Sequence, residues 1–404
     1  MKFSRYMKSV LCSVSLTDIY QWIRTMGRPK AWCHPWGLLF LCMILTVGLM
    51  VGVWQNLLTT QHIMTPPPVS VNPLYPSRSR LLDLADFSYI INNDVCGAAS
   101  VFITVIIHTH PANRLERDTM RRNIPSEDLL DLGMRRVFLL GRAEWDDQTL
   151  YHKTPQWKIN DENVKYRDII QGNFKEHYHN LTYKHVMGLQ WVTHYCPQTK
   201  FILKMDDDIV VDLYQYRDYL KSRYPDRKNL ILGLLQVEGR PVRRKESKWY
   251  VSKDEFPDDF YAPFMSGWAY AMTTDAARAI VAESFKWPYF WIDDVHVTGT
   301  LAEKCGVKRE GLNRFYTLHV DHLHCCVELP NSPDYYCDFF AGPSEGDLDV
   351  QAKLLSHAKS CYMNRCQRRP PERSVAKTCV RQKVAPLAPL GKGHGEIIRV
   401  SGLH

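Results

Sequence analysis

Phe201-Ile-Leu-Lys-Met-Asp-Asp-Asp208 passes from a mainly apolar stretch directly into three consecutive carboxylates. Phe201 to Met205 is expected to be a strand, so Asp206, Asp207 and Asp208 stand at its carboxyl end. In isolation such a triplet is most often a solvated turn, and the strand before it changes its meaning. Three adjacent carboxylates repel one another, and setting them against a buried strand costs stability unless a cation neutralises them. Hard divalent ions with open coordination positions take carboxylate and phosphate oxygens together. The triplet is therefore read as a carboxylate set that bridges a metal to a diphosphate.

The flanking sequence supplies the rest of a sheet. Ala98 to His108, AASVFITVIIH, is a continuous β-branched run, the pattern of a strand buried on both faces. Arg114 to Arg122 reads as a helix and Arg136 to Gly141 as a second buried strand. Glu176 to Tyr195 has apolar positions at helical spacing, and Leu230 to Gln236 is a further strand. Strands alternating with helices imply an α/β domain with a largely parallel sheet. Ligands of such sheets bind outside the carboxyl ends of the strands, where the triplet lies.

Other segments add candidate chemistry. Asp293-Asp294-Val295 follows the aromatic stretch WPYFWI. Partial burial there raises an Asp pKa towards working pH, as a general base requires. Asp293 equally suits the N-cap of a helix through VHVTGTLAEKCG. Arg117 and Arg121 share a helix face and are placed to grip phosphate, although exposed helix arginines commonly just face water. Residues 166–184, YRDIIQGNFKEHYHNLTYK, set polar groups among apolar ones and include the N-glycosylation sequon Asn180-Leu181-Thr182.

The ends of the chain differ from its middle. Of the net charge of +8, residues 1–35 carry six Lys/Arg against Asp18, and residues 367–404 carry eight against two acids, which leaves the stretch between at −3. Positive charge confined to the ends argues against a nucleic-acid groove. Trp36 to Trp54, WGLLFLCMILTVGLMVGVW, has no charged residue and no polar face, and is long enough to cross a bilayer as a helix. Arg24, Arg28 and Lys30 precede it and the next basic residue is Arg78, so the positive-inside rule leaves the N-terminus in the cytosol. No clear small-x-small cleavage site follows, which favours a signal anchor over a cleaved signal peptide.

The expected organisation is a cytosolic tail at 1–35, a transmembrane signal anchor at 36–54 and a Pro-rich stem at 55–95. A lumenal domain at 96–366 and a basic disordered tail at 367–404 follow. Nine of the 12 cysteines lie past the span, where an oxidising lumen favours disulfides. Nine is odd, so at least one thiol stays free or pairs between chains. No paired CxxC spacing supports the zinc alternative.

Several blocks, in one order from about Val101 to Gly311, resemble the β1,3-glycosyltransferase family of β1,3-galactosyltransferases, β1,3-N-acetylglucosaminyltransferases and Fringe-type enzymes. Arg117-Asp-Thr-Met-Arg121 resembles its RxxIR block, and Tyr166-Arg-Asp168-Ile169 with Asn180-Leu-Thr-Tyr-Lys184 resembles YxDI…NLTxK. Phe201 to Asp208 resembles FxxKxDDD. Lys248-Trp249-Tyr250-Val251-Ser252, Tyr261 to Tyr270, and Asp293-Asp294-Val295 to Gly299 resemble the donor-and-acceptor half.

The resemblance implies a GT-A fold in a type II membrane enzyme of the Golgi apparatus. It implies a UDP-sugar donor, a Mn2+ cofactor and inverting transfer to the 3-hydroxyl of an acceptor glycan on glycoprotein or glycolipid. It implies Asp208 as the direct metal ligand, Asp206 on the ribose or the metal's waters with Asp207 beside it, and Asp294 as the base. Arg117, Arg121, Asp168 and Lys184 would line the nucleotide pocket.

Departures from the pattern are Asn123-Ile124 for the family's Thr-Trp, Asp293 for its usual Glu, and Ala269 for the second Gly of GxGY. The family's late metal-binding His is matched by CDFFAG. His324 is the candidate taken in its place, with His319, His322 and His357 nearby in sequence. Trp249, Trp268 and Trp291 are candidates to stack on sugar rings, although packing is the commoner role. These departures motivate an alternative, a catalytically inactive relative that binds or chaperones secretory proteins. A third reading is a metal-dependent hydrolase using the same carboxylates.

Overall fold

The β-branched run before the first helix forms a six-residue strand, Ile103–His108, buried at every position. The expected strand over Ala98–His108 is thus trimmed at its start. The computed structural model describes residues 79–97, 100–143, 154–328 and 334–379, together with Thr46, Gly48 and Met50. The chain divides into two compact units, Met1–Asn72 and Pro73–His404, and the fold lies in the second.

In chain order the strands are β1 (Ser79–Leu81), β2 (Leu84–Phe87), β3 (Tyr89–Ile91), β4 (Ile103–His108), β5 (Met134–Arg142), β6 (Ile169–Lys175), β7 (Phe201–Asp206), β8 (Ile209–Val211), β9 (Leu230–Gln236), β10 (Phe264–Thr273), β11 (Lys308–Gly311) and β12 (Ala341–Pro343). The main helices are α1 (Arg114–Asn123), α2 (Ser126–Asp131), α3 (Gln156–Tyr166), α4 (Leu181–Tyr195), α5 (Leu213–Arg223), α6 (Thr274–Ser284), α7 (Val320–Glu328) and α8 (Leu348–Asn364).

Among the described residues, eight strands form one sheet in the order β11-β9-β10-β7-β4-β5-β6-β3. β4 pairs in parallel with β5 and β7, β5 with β6, and β11 with β9. β10 is antiparallel to both its neighbours and β3 is antiparallel to β6. Every strand except β10 and β3 therefore runs one way, the largely parallel α/β sheet that the sequence predicts.

Both faces of the sheet are covered. Alternate residues of β4 point to opposite faces: Val105 and Ile107 join one core, Ile106 the other. The first core packs against Met120 of α1, Leu220 of α5 and Leu354 of α8. The second packs against Val186, Leu189 and Trp191 of α4 and Ile280 of α6. Each such large apolar side chain contributes about 1.5–3 kcal/mol on full burial. A Cβ on Gly188 of α4 would lie 2.4 Å from Leu139 Cδ1, so glycine lets this helix sit flush on β5.

The folded domain extends past both limits expected from sequence. β3 belongs to the sheet and β1 pairs with β2, at residues assigned to the stem. Past residue 366, Cys379 is bonded to Cys325 of α7, within the stretch expected to be a disordered tail. The first extension escapes a sequence reading because its strands are only three or four residues long, and the second because its helical pieces, Pro371–Arg373 and Val375–Thr378, are equally short. Three further disulfides, Cys96–Cys196, Cys326–Cys337 and Cys361–Cys366, leave Cys305 as the free thiol. Eight of these nine cysteines are thus held in disulfides and are not available as zinc ligands.

Among the described residues no helix is long and apolar enough to cross a membrane. The span expected at 36–54 lies outside the described residues, apart from Thr46, Gly48 and Met50, which are helical. The remainder of the stem, residues 55–78, the cytosolic tail 1–35 and the end of the basic tail, residues 380–404, also lie outside them.

Candidate active site

Lys204 is the residue on which the site is assembled. It sits within β7, almost wholly buried, and its ammonium donates to Asp206 Oδ1 at 2.5 Å and to the carbonyl of Gly267 on β10. A buried ammonium needs such partners. Burial alone would lower its pKa, but Asp206, Asp293 and Asp294 outweigh that and hold it raised.

From Gly267 the connection continues to the second acidic cluster. The Gly267 amide donates to Asp294 Oδ2 at 2.9 Å, and the Val295 amide donates to Asp294 Oδ1 at 2.8 Å. A Cβ at position 267 would lie 2.9 Å from Asp294 Cβ, closer than side chains pack, so only glycine admits this approach. Gly267 lies where the β9–β10 register shifts, between Met265 and Tyr270. Such an irregularity re-aims local groups. Burial and the neighbouring Asp293 both push the Asp294 carboxyl pKa up. Burial would raise Asp293 too, but His185 and Lys204 overcome it and hold Asp293 low. The expected helix is present after this pair, but Val295–Leu301 are wound as a π-helix and Asp294, not Asp293, accepts at its start.

The members of the triplet diverge. Asp206 faces Lys204. Asp207 turns inward, where its Oδ2 accepts from Thr109 Oγ1 at 2.5 Å and Asn113 Nδ2 at 2.9 Å. Burial still raises its pKa to about 6. Asp208 has a carboxylate with no ion-pair partner among the described residues, and burial beside Asp206 and Asp207 raises its pKa to about 7. Its carbonyl is fixed by Ser344 N at 2.9 Å and Ser344 Oγ at 2.7 Å, just past β12.

Arg117, Arg121, Asp168 and Lys184 are brought close to this floor, but their charges face protein partners. Arg117 is fully buried and commits all five N–H donors: to Glu162 Oε1 and Oε2 at 2.7 Å each, Thr109 Oγ1 at 3.2 Å, His110 O at 2.7 Å and Pro111 O at 3.1 Å. The expected direct phosphate contact from Arg117 therefore finds no free donor. Its influence reaches the triplet through Thr109, which donates to Asp207. Arg121 forks onto Asp168 at 2.7 and 2.9 Å and also meets Asp118 and Glu162. Lys184 donates to Glu176 Oε1 at 2.6 Å and Thr109 O at 2.7 Å. Neither helix arginine faces water.

His324 lies on α7 with its Nδ1 3.6 Å from Glu328 Oε1, and no contact among the described residues joins it to the triplet. His322 Nδ1 meets Thr317 Oγ1 at 2.7 Å, and His357 Nε2 donates to Tyr335 O at 3.0 Å. No group of three or more His, Cys, Asp or Glu among the described residues is arranged to hold a metal ion. The half-buried carboxylate of Asp208, which has no ion-pair partner among the described residues, nevertheless fits, beside Asp206, a divalent ion that takes its remaining ligands from phosphate and water. Near the carboxylates is an aromatic group: Tyr178 accepts from Trp249 Nε1 at 2.7 Å, and His179 stacks on Trp291 at 4.4 Å. Trp268 instead packs edge-on against Tyr316.

Residues 116–313 match the family model described as galactosyltransferase. The chain is 34% identical over 236 residues to the lactosylceramide 1,3-N-acetyl-beta-D-glucosaminyltransferase A of Xenopus laevis, covering 57% of this chain and 62% of that protein. It is 35% identical over 220 residues to the beta-1,3-galactosyltransferase 2 of Mus musculus, covering 54% of this chain and 51% of that protein. Over this region the chain is similar to the β1,3-glycosyltransferases. It spans somewhat over half the length of these relatives. A solved glycosyltransferase involved in glycosylation of the major capsid of PBCV-1 superposes at a TM-score of 0.33 with 10% identity, over 63% of this chain and 98% of that one, too loosely to argue from.

Several residues of the site carry no role that the sequence alone shows. Lys204 stands inside the Phe201–Asp208 segment, and a charge in mid-strand is itself a signal of a buried pair. His185 and Tyr270, which lie behind Asp293, carried no such signal. Glu162 and Glu176, which pair with Arg117 and Lys184, were likewise invisible. Asn180 Nδ2 donates to Lys175 O at 2.9 Å and Thr182 Oγ1 to Phe290 O at 2.7 Å, so the sequon is tied into the packing.

Proposed function

We propose that the protein is an inverting hexosyltransferase that moves a hexose or N-acetylhexosamine from a UDP-sugar to the 3-hydroxyl of an acceptor glycan on glycoprotein or glycolipid. The observation that carries this is Asp294. It is a partly buried carboxylate with a raised pKa, fixed by two backbone amides and linked through Gly267 and Lys204 to the Asp206-Asp207-Asp208 triplet. Each of its oxygens accepts one amide, which holds the side chain still while leaving acceptor capacity for a sugar hydroxyl. The names of the relatives favour an active enzyme over an inactive binding protein.

Asp294 removes the acceptor's proton as the oxygen attacks the anomeric carbon from the side opposite UDP. Asp208, with Asp206, would hold a Mn2+ ion, which neutralises charge on the leaving diphosphate when bound. Lys204 keeps the two acidic clusters at a fixed separation. Arg117, Arg121, Asp168 and Lys184 form the paired floor beneath the nucleotide. The surrounding fold is of the GT-A type in this reading. The protein is placed as a single-pass type II membrane protein of the Golgi apparatus, with the catalytic domain lumenal. Four disulfides support an oxidising compartment.

The test is UDP release from UDP-galactose and UDP-N-acetylglucosamine with Mn2+ and a panel of glycan acceptors. Release should depend on acceptor and fall at least a hundredfold in Asp294→Asn. Full activity in that variant would remove the assignment. Release indifferent to acceptor would point to a hydrolase.

A further inference from the structure

Beside the base, a second carboxylate is tied into the core by a chain that the transfer reaction as stated does not use. Asp293 Oδ2 lies 2.8 Å from His185 Nδ1, and the other ring nitrogen meets the Tyr270 hydroxyl. Three elements meet there: α4 supplies His185, β10 supplies Tyr270, and the turn before the π-helix supplies Asp293. His185 and Tyr270 are fully buried, and the Asp293 side chain is 15% exposed.

The bonding fixes the protons. Asp293 is held as an anion and only accepts, so His185 Nδ1 donates to it; Nε2 then accepts, and the Tyr270 hydroxyl donates. Burial keeps the ring neutral against the opposing pull of Asp293, and burial keeps the Tyr270 phenol protonated.

We infer that His185 is a positioning residue for the transfer step: oriented by Tyr270, it holds Asp293 as a fixed anion against Asp294 and so sets the basicity of the carboxylate that takes the acceptor's proton. This rests on Asp294 being the base.

None of the other groups facing the pair raises the Asp294 carboxyl as Asp293 does, and Lys204 acts in the opposite direction. On β4, His108 stands edge-on to His185 with ring centroids 5.3 Å apart, and burial keeps it neutral. On the π-helix, burial keeps His296 neutral. Tyr178, Tyr261 and Tyr289 face the pair from the loops with pKa values pushed up by burial, so they stay uncharged. Lys204 and Asp206 on β7 are bonded to each other. Asp293 is the negative charge that raises the Asp294 carboxyl, and Lys204 offsets it only in part.

The experiment uses the full chain with UDP-galactose and UDP-N-acetylglucosamine, reading kcat and KM against pH. His185→Ala should lower kcat by about tenfold or more and leave KM for the donor within about twofold. Its acid limb should move to lower pH, because a loosened Asp293 takes up a proton and stops repelling charge on Asp294. His185→Asn retains an N–H near the position of Nδ1 and should recover much of the loss. In an Asp293→Asn background the His185→Ala change should cost little. Tyr270→Phe, which removes one oxygen, should move the limb the same way by less, and covers the case in which His185→Ala does not fold.

An unmoved acid limb in both His185→Ala and Tyr270→Phe overturns the inference, as does an undiminished His185→Ala effect when Asp293 is already Asn. Asp294→Asn separates the two levels. If it is inactive while the His185 variants behave as wild type, only this inference fails; if it stays active, the proposed reaction fails first.

Discussion

Gly267 shows how much of the site depends on a single missing side chain. Its carbonyl takes Lys204, its amide takes Asp294, and the space where a Cβ would stand is occupied by Asp294 itself. Gly267→Ala should displace Asp294 by a few tenths of an ångström. We expect kcat/KM to fall at least tenfold while stability falls by only about 1–3 kcal/mol, the usual cost of local overpacking. UDP release and thermal unfolding measured on the same preparation check both halves. Near-normal activity would show that the amide does not hold the base. A second expectation concerns pH. Asp294 must be ionised to accept a proton, and burial beside Asp293 raises its pKa. Activity should therefore decline as pH falls from neutral, well above the value of about 4 at which an ordinary carboxyl titrates. An acid limb near pH 4 would contradict the burial argument.

Elements explain which parts of this architecture the sequence carries on its face. β4, β5, β7 and β9 are legible because parallel strands buried on both faces need unbroken apolar runs, and Ile103–His108 or Leu230–Gln236 are that pattern. β10 is not, because FMSGWAYAMT mixes glycine, serine and aromatics around a register shift. β3 and β11 have three and four residues and show no period. The triplet and Asp294 are legible as acidic clusters at element ends. The function of α1 is misread for a physical reason. Two arginines four apart show a shared face, but nothing local shows whether that face meets phosphate or Glu162, which lies 45 residues on in α3. Arg117→Met decides between them. Removing one partner of a buried pair costs about 3–5 kcal/mol, so unfolding should shift by that amount. Loss of a direct phosphate contact would instead raise KM for the donor with little change in stability.

At the scale of the whole molecule, the disulfides do unequal work. Cys96–Cys196 ties the segment entering β4 to the end of α4, two places that are 100 residues apart. It thereby closes a loop containing β4, β5, β6 and the helices between them. Cys361–Cys366 closes only five residues at the end of α8. If a disulfide acts mainly by restricting the unfolded chain, the first is worth roughly 4–5 kcal/mol and the second about 2 kcal/mol. Cys96→Ala/Cys196→Ala should therefore lower the unfolding temperature more than Cys361→Ala/Cys366→Ala does, and neither pair touches Lys204, Asp206 or Asp294. The comparison is made by thermal unfolding of the two double variants with the remaining bridges kept oxidised. UDP release at a temperature where both are folded should stay near normal, because the β7–β10 pairing that joins the acidic clusters is held by its own hydrogen bonds. An equal loss from the two pairs would mean that native-state packing around Cys361, which is fully buried, outweighs the difference in loop length.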